Sequence, residues 1–142
     1  MRAWCLAAAL IGTSAVGCGP GAEKFVPVEG RVTIAGGASP FPGSVSFRPD
    51  AARGNTSKHQ PMGEFDETGT FRLMTTGQPG APLGWYKVLV FSSEKIGDGP
   101  YGGPTLPKWR TNARYIDEAT TPLSVEVVAS PAPGAYEFTV EK

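Results

Sequence analysis

Hydrophobic and polar positions alternate along this chain with a period of two, in short runs separated by turn residues. Val26, Val28, Val32 and Ile34 share one parity, with Gly30 in the same row, and Glu29, Arg31 and Thr33 share the other. On a β-strand this places one set inward and the other outward. Pro27 gives the first strand an edge position, because proline cannot donate to a ladder. The run ends in Ala35-Gly36-Gly37, and Pro40-Phe41-Pro42-Gly43 extends the turn. Val45 and Phe47 then alternate with Ser44, Ser46 and Arg48 in a second strand that Pro49 stops. Asp50 to Gln60 is polar and contains Gly54-Asn55, so it reads as a loop.

The stretch from Met62 to Leu73 predicts a β-hairpin. Phe65 and Phe71 flank the turn Asp66-Glu67-Thr68-Gly69, and Phe71 and Leu73 alternate with Thr70 and Arg72. After a loop over 76–82, Gly84-Trp85-Tyr86-Lys87-Val88-Leu89-Val90-Phe91 is the strongest strand. Tyr86, Val88 and Val90 form one face, and Trp85, Leu89 and Phe91 make the other face apolar too, which predicts a central or doubly covered strand. Leu123, Val125 and Val127 make a further strand, Ser130-Pro131-Ala132-Pro133-Gly134 a turn, and Tyr136, Phe138 and Val140 the last strand. The seventh-strand entry Gly134-Ala135-Tyr136 echoes Gly84-Trp85-Tyr86, and both tyrosine hydroxyls are expected to find partners at the rim. About seven short strands and no amphipathic helix of normal length predict an all-β, seven-stranded antiparallel β-sandwich.

The segment 92–122 departs from this rhythm. It is long and rich in Gly and Pro, and long loops in compact domains are usually functional or disordered. Its second half carries Lys108, Trp109, Arg114 and Tyr115, with a short helical turn expected there. Aromatic faces stack on sugars, and Arg and Lys bind anions, so these four are the candidate ligand contacts. The competing reading folds Trp109 and Tyr115 back onto the strands.

Composition sharpens the picture in two ways. Thirteen basic residues balance thirteen acidic ones, which excludes the basic face of a nucleic-acid binder. At 142 residues the chain allows one domain.

The N-terminus has the form of a processing segment. Arg2 precedes a run from Ala3 to Val16 that is apolar apart from Gly12, Thr13 and Ser14, and it closes in Ala15-Val16-Gly17-Cys18. This resembles the lipobox of bacterial lipoproteins, with Ala15 where that family commonly has Leu. The resemblance implies a signal peptide over 1–17, a lipidated Cys18, a tether over 18–25 and a domain over 26–142. Failed lipidation would leave a secreted protein. Cys5 falls in the segment to be removed, so the mature chain would hold neither a free thiol nor a disulfide and would depend on its core. Gly19, rather than Asp, after the lipidated cysteine implies outer-membrane over inner-membrane attachment in that family.

Four segments in order carry a second resemblance: Val28-Glu29-Gly30-Arg31-Val32-Thr33-Ile34, Pro42-Gly43-Ser44-Val45-Ser46-Phe47, Phe65-Asp66-Glu67-Thr68-Gly69-Thr70-Phe71-Arg72-Leu73 and Gly84-Trp85-Tyr86-Lys87-Val88. Together they resemble the carboxypeptidase regulatory-like domain, a transthyretin-type Greek-key sandwich, as found in small bacterial lipoproteins. That implies a non-enzymatic, lipid-anchored cell-envelope protein without cofactor, structural or protein-binding. The alternative is a carbohydrate-binding module using the loop 92–122. Partners would be the membrane, through Cys18, and an envelope protein or polysaccharide.

Remaining chemistry is sparse. Glu64, Asp66 and Glu67 lie near a glycine turn, but Ca²⁺ wants six to eight oxygens, and Asp66 is better used to accept local backbone N–H groups. His59 is the sole histidine, too few for zinc, and is expected to be solvated in its polar loop. Transthyretin-fold hydrolases of an oxidised purine need several histidines and a Tyr-Arg-Gly-Ser ending, whereas this chain ends Val140-Glu141-Lys142.

Overall fold

The structure, a computed structural model, describes residues 23–94 and 106–142. Among the described residues there is no α-helix. Twelve strands run in order: β1 (Phe25–Val26), β2 (Glu29–Ile34), β3 (Gly43–Pro49), β4 (Met62–Phe65), β5 (Thr70–Arg72), β6 (Met74–Thr75), β7 (Gln78–Pro79), β8 (Ala81–Pro82), β9 (Gly84–Glu94), β10 (Lys108–Trp109), β11 (Ser124–Val127) and β12 (Glu137–Val140). Two single turns of 3₁₀-helix, Ala51–Arg53 and Ala113–Tyr115, interrupt them.

One sheet has the order β10-β9-β3-β4-β5-β2-β12, with β11 also on β9 and the small β6–β7 hairpin on β4, while β1 pairs separately with β8. The longer expected strands fall where the alternation placed them, but the first is split at Pro27 and the expected loop over 76–82 holds β7 and β8. Burial follows parity: Val32 and Ile34 are buried in β2, and Val45 and Phe47 in β3. Pro27 does not put the first strand at an edge, since β2 lies between β5 and β12. It separates β1 from β2, and these pair with different partners. An all-antiparallel sheet is not what forms. β12 pairs with β2 in parallel, from Glu137 opposite Arg31 to Val140 opposite Ile34. No turn joins these two strands, which lie at opposite ends of the chain, so loop geometry imposes no direction on their pairing.

The sheet curls on itself. Val125 and Val127 of β11 and Phe138 and Val140 of β12 come from opposite ends of the strand order, yet belong to one hydrophobic cluster. Two hydrogen bonds stitch the ends: the Asn112 N–H donates to the Glu141 carbonyl at 2.9 Å, and the Val128 N–H to the Tyr136 hydroxyl at 3.4 Å. Inside, Phe71 stacks on Phe138 at 6.2 Å, and Phe47 meets the same ring edge-on at 6.0 Å. Aromatic pairs of this kind add about 0.5–1.5 kcal/mol each beyond their buried area.

The predicted hairpin is the corner of this core. Phe65 and Phe71 lie opposite one another across β4 and β5, 2% and 1% exposed. Asp66 builds the turn: its carboxylate accepts from the Thr68 N–H at 2.9 Å, the Thr68 hydroxyl at 2.6 Å and the Thr70 N–H at 3.0 Å. The Thr68 hydroxyl bond comes first among the causes that hold its pKa below the ordinary carboxylate value. Gly69 closes the turn at φ +83, where a Cβ would lie 2.0 Å from the Val32 carbonyl oxygen, so only glycine fits.

Candidate functional site

The long strand β9 carries the candidate site because its residues divide between two surfaces. Tyr86, Val88, Val90 and Ser92 are buried on the core side. By alternation Trp85, Lys87, Leu89, Phe91 and Ser93 face the other way. β3 occupies one edge of β9, and β10 and β11 pair along it as well, both antiparallel.

Between β10 and β11 the chain leaves β9 and returns, and this departure explains how 106–123 is held. The Arg110 N–H still donates to the Ser92 carbonyl at 2.8 Å. Beyond it, the Thr111 hydroxyl reaches the Val90 carbonyl at 3.3 Å and the Thr121 hydroxyl reaches the Val88 carbonyl at 2.7 Å. Two threonine side chains thus stand in for strand N–H groups on carbonyls that would otherwise lose a partner. The excursion contains the expected short turn, Ala113–Tyr115, capped by Asn112, whose side chain accepts from the Arg114 N–H at 3.1 Å.

The four candidate contacts do not form one surface. Tyr115 is 3% exposed and belongs to the core cluster. Arg114 lies over its ring, 4.8 Å from the centroid, and donates to both the Tyr115 hydroxyl and the Glu141 carboxylate at 2.7 Å. The bond to the Tyr115 hydroxyl raises the already high pKa of this guanidinium. Arg114 and Tyr115 are a clamp between the excursion and the end of β12. Lys108 pairs with Glu94 at 3.1 Å, directly across the β10–β9 ladder. Trp109 is 45% exposed on the opposite side of the sheet from Tyr115, its ring 6.5 Å from that of Phe91. Cys18 lies outside the described residues.

Trp109 has neighbours that the linear pattern did not reveal. A hollow of about 420 Å³ is lined by Phe41, Ser44, Glu64, Phe91, Ser93 and Trp109, with Phe41 42% exposed. A second hollow of about 580 Å³ adjoins it, sharing Phe41 and Glu64 and reaching Thr70 and Arg72. The turn bearing Phe41 is pinned from both sides. Arg110 donates to the Ser39 carbonyl at 2.8 Å and to the Phe41 carbonyl, and the Ser92 hydroxyl donates to the Pro40 carbonyl at 2.6 Å. Phe41 sits between two prolines inside a turn, off the strand alternation, and that placement was the available signal.

His59 is half-buried, not solvated. Its Nε2 lies 3.2 Å from the Glu23 carboxylate and its ring meets Phe25 edge-on at 5.4 Å. The last residues of the expected tether, Glu23 to Phe25, are therefore bound to the body, since β1 begins at Phe25. Among the described residues no group of three or more His, Cys, Asp or Glu side chains could hold a metal ion, and no helix is long and apolar enough to cross a membrane.

No known protein family, no curated protein and no solved structure matches the chain.

Proposed function

We propose that this chain is a lipid-anchored, non-enzymatic protein of the bacterial cell envelope, whose folded part is a transthyretin-like β-sandwich that serves a structural or protein-binding role. The observation that carries it is Gly17-Cys18 directly behind the mostly apolar run from Ala3 to Val16. The structure adds a consistent detail. Glu23 and Phe25 are docked on His59, and Phe25 and Val26 on β8, so only residues 19–22 separate the cysteine from a bound segment. Five Cα steps, from Cys18 to Glu23, span at most about 17–18 Å. In this reading the body rides close to the lipid surface, on the outer membrane in preference to the inner.

The sandwich reading is supported by strands β2, β3, β4, β5, β9, β11 and β12, which alone among the described strands have three or more residues, and by the core they enclose. The parallel β2–β12 pair departs from it.

Fractionation of cells expressing the wild type and Cys18→Ser tests the anchor. The wild type is expected in the membrane fraction and the variant in the soluble one. Equal distribution would overturn the proposal.

A second reading, a carbohydrate-binding module in the 92–122 region, is favoured by one observation: Trp109 stands half-exposed beside Phe91, in a hollow that also exposes Phe41.

A further inference from the structure

The hollow beside Trp109 combines features that point to one class of ligand. Phe41 and Trp109 present aromatic surface to solvent, 42% and 45% exposed, and the Phe91 ring lies 6.5 Å from that of Trp109. Large apolar side chains exposed together, with a few convergent polar groups, mark ligand clefts. The polar groups here are the Ser44 and Ser93 hydroxyls and the Glu64 carboxylate. They can donate to and accept from hydroxyl groups, while aromatic rings pack on the C–H faces of a pyranose. Charge narrows the choice further. Glu64 lines both hollows and Asp66 lines the second, where Arg72 is already paired with Glu29 at 2.8 Å. An anionic chain would meet like charge; a neutral polyhydroxyl chain would not. Two adjoining hollows sharing Phe41 suit an extended ligand of several rings in place of a single sugar.

The site is built before any ligand arrives. Arg110 and Ser92 hold the Ser39–Pro42 turn through three backbone carbonyls, so little conformational freedom is left to lose there on binding. Its position is also specific. β1 and β8, the root of the N-terminal segment, lie just before Gly84, the start of β9. From Gly84 to Phe91 the strand rises about 23 Å at roughly 3.3 Å per residue. The hollow is thus about 23 Å along β9 from the tether root.

We propose that the Phe41–Trp109 hollow binds a neutral oligosaccharide, and that the fold presents it away from the lipid surface. The binding half of this inference deepens the carbohydrate reading above, and the orientation half rests on the anchor.

The test uses the full chain in detergent, titrated with chitohexaose, cellohexaose and mannohexaose, with hexagalacturonate as the anionic comparison and an unstructured aromatic peptide as the protein-like one. Tryptophan fluorescence and calorimetry are the readouts. At least one neutral hexasaccharide is expected to bind and to shift the fluorescence. Trp109→Ala and Phe41→Ala are each expected to weaken it at least about tenfold, and Glu64→Ala several-fold, with circular dichroism unchanged. Tyr115→Phe, outside the hollow, is expected to bind as the wild type does. Binding of no neutral hexasaccharide at millimolar concentration, binding indifferent to Trp109 and Phe41, or preference for the anionic hexamer or the peptide would each overturn it. Cys18→Ser separates the two readings: a wild type found in the soluble fraction removes the anchor and the orientation, while saccharide binding by either form stands or falls independently.

Discussion

Tyr115→Ala is expected to be among the most damaging single changes in this protein, although Tyr115 sits in a segment that reads as a loop. The ring is 3% exposed and packs in the central cluster, with Arg114 laid over it. Truncating a buried aromatic to alanine costs about 3–5 kcal/mol, from lost transfer free energy and the cavity left behind. A domain of this size has about 5–15 kcal/mol of stability in all. Each kcal/mol moves Tm by roughly 3–6 °C at this length, so the expected fall is on the order of 10–30 °C. Tyr115→Phe keeps the ring and removes only the hydroxyl that accepts from Arg114. The guanidinium keeps Glu141, so the cost is about 1 kcal/mol or less. Trp109→Ala removes a larger side chain that is nearly half in solvent, and about 1–2 kcal/mol is expected. Urea and thermal unfolding followed by far-ultraviolet circular dichroism would rank the three. A Trp109→Ala loss equal to that of Tyr115→Ala, or a Tyr115→Ala loss below about 1 kcal/mol, would refute the assignment of Tyr115 to the core and of Trp109 to the surface.

Two further predictions concern the hairpin. Gly69→Ala places a Cβ 2.0 Å from the Val32 carbonyl oxygen at φ +83, while Gly36→Ala, at φ +90, meets nothing within 4 Å. Gly36→Ala should therefore cost only the left-handed penalty of about 1–2 kcal/mol, and Gly69→Ala clearly more in the same urea experiment; equal costs would mean that the turn gives way freely. Asp66 gives stability a defined dependence on pH. Its pKa is lowered in the folded state, so its contribution is fully present above the unfolded value near 3.8 and is lost as pH falls through the lowered folded value. Asp66→Asn should flatten that part of the acid limb of a stability-against-pH curve and leave the curve's shape above pH 5 alone; an unchanged acid limb would remove Asp66 from the account.

What the sequence determined alone was local. Alternation decided which face of each strand is buried, because the side-chain period of an extended chain is two wherever the strand ends up. It located the Phe65–Phe71 hairpin and the turn chemistry of Asp66 and Gly69, since those groups meet within a few residues. Both tyrosines of the Gly-x-Tyr echo are bonded, Tyr86 to the Pro82 carbonyl at 2.9 Å and Tyr136 to the Val128 N–H at 3.4 Å. Tertiary structure decided whatever depended on distant segments meeting. It paired β12 with β2 in parallel, because a strand with no connecting turn is free to take either direction. It docked His59 on Glu23 and Phe25, though nothing in the loop around His59 announces an acidic and an aromatic neighbour 36 and 34 positions earlier. It divided Trp109 from Tyr115, six positions apart, because β10 ends at Trp109 and the chain then turns through a 3₁₀ corner into the core. And it set Phe41 and Glu64 beside Trp109, since β3 carries both of their neighbourhoods to the edge of β9, so the hollow exists only once the sheet has closed.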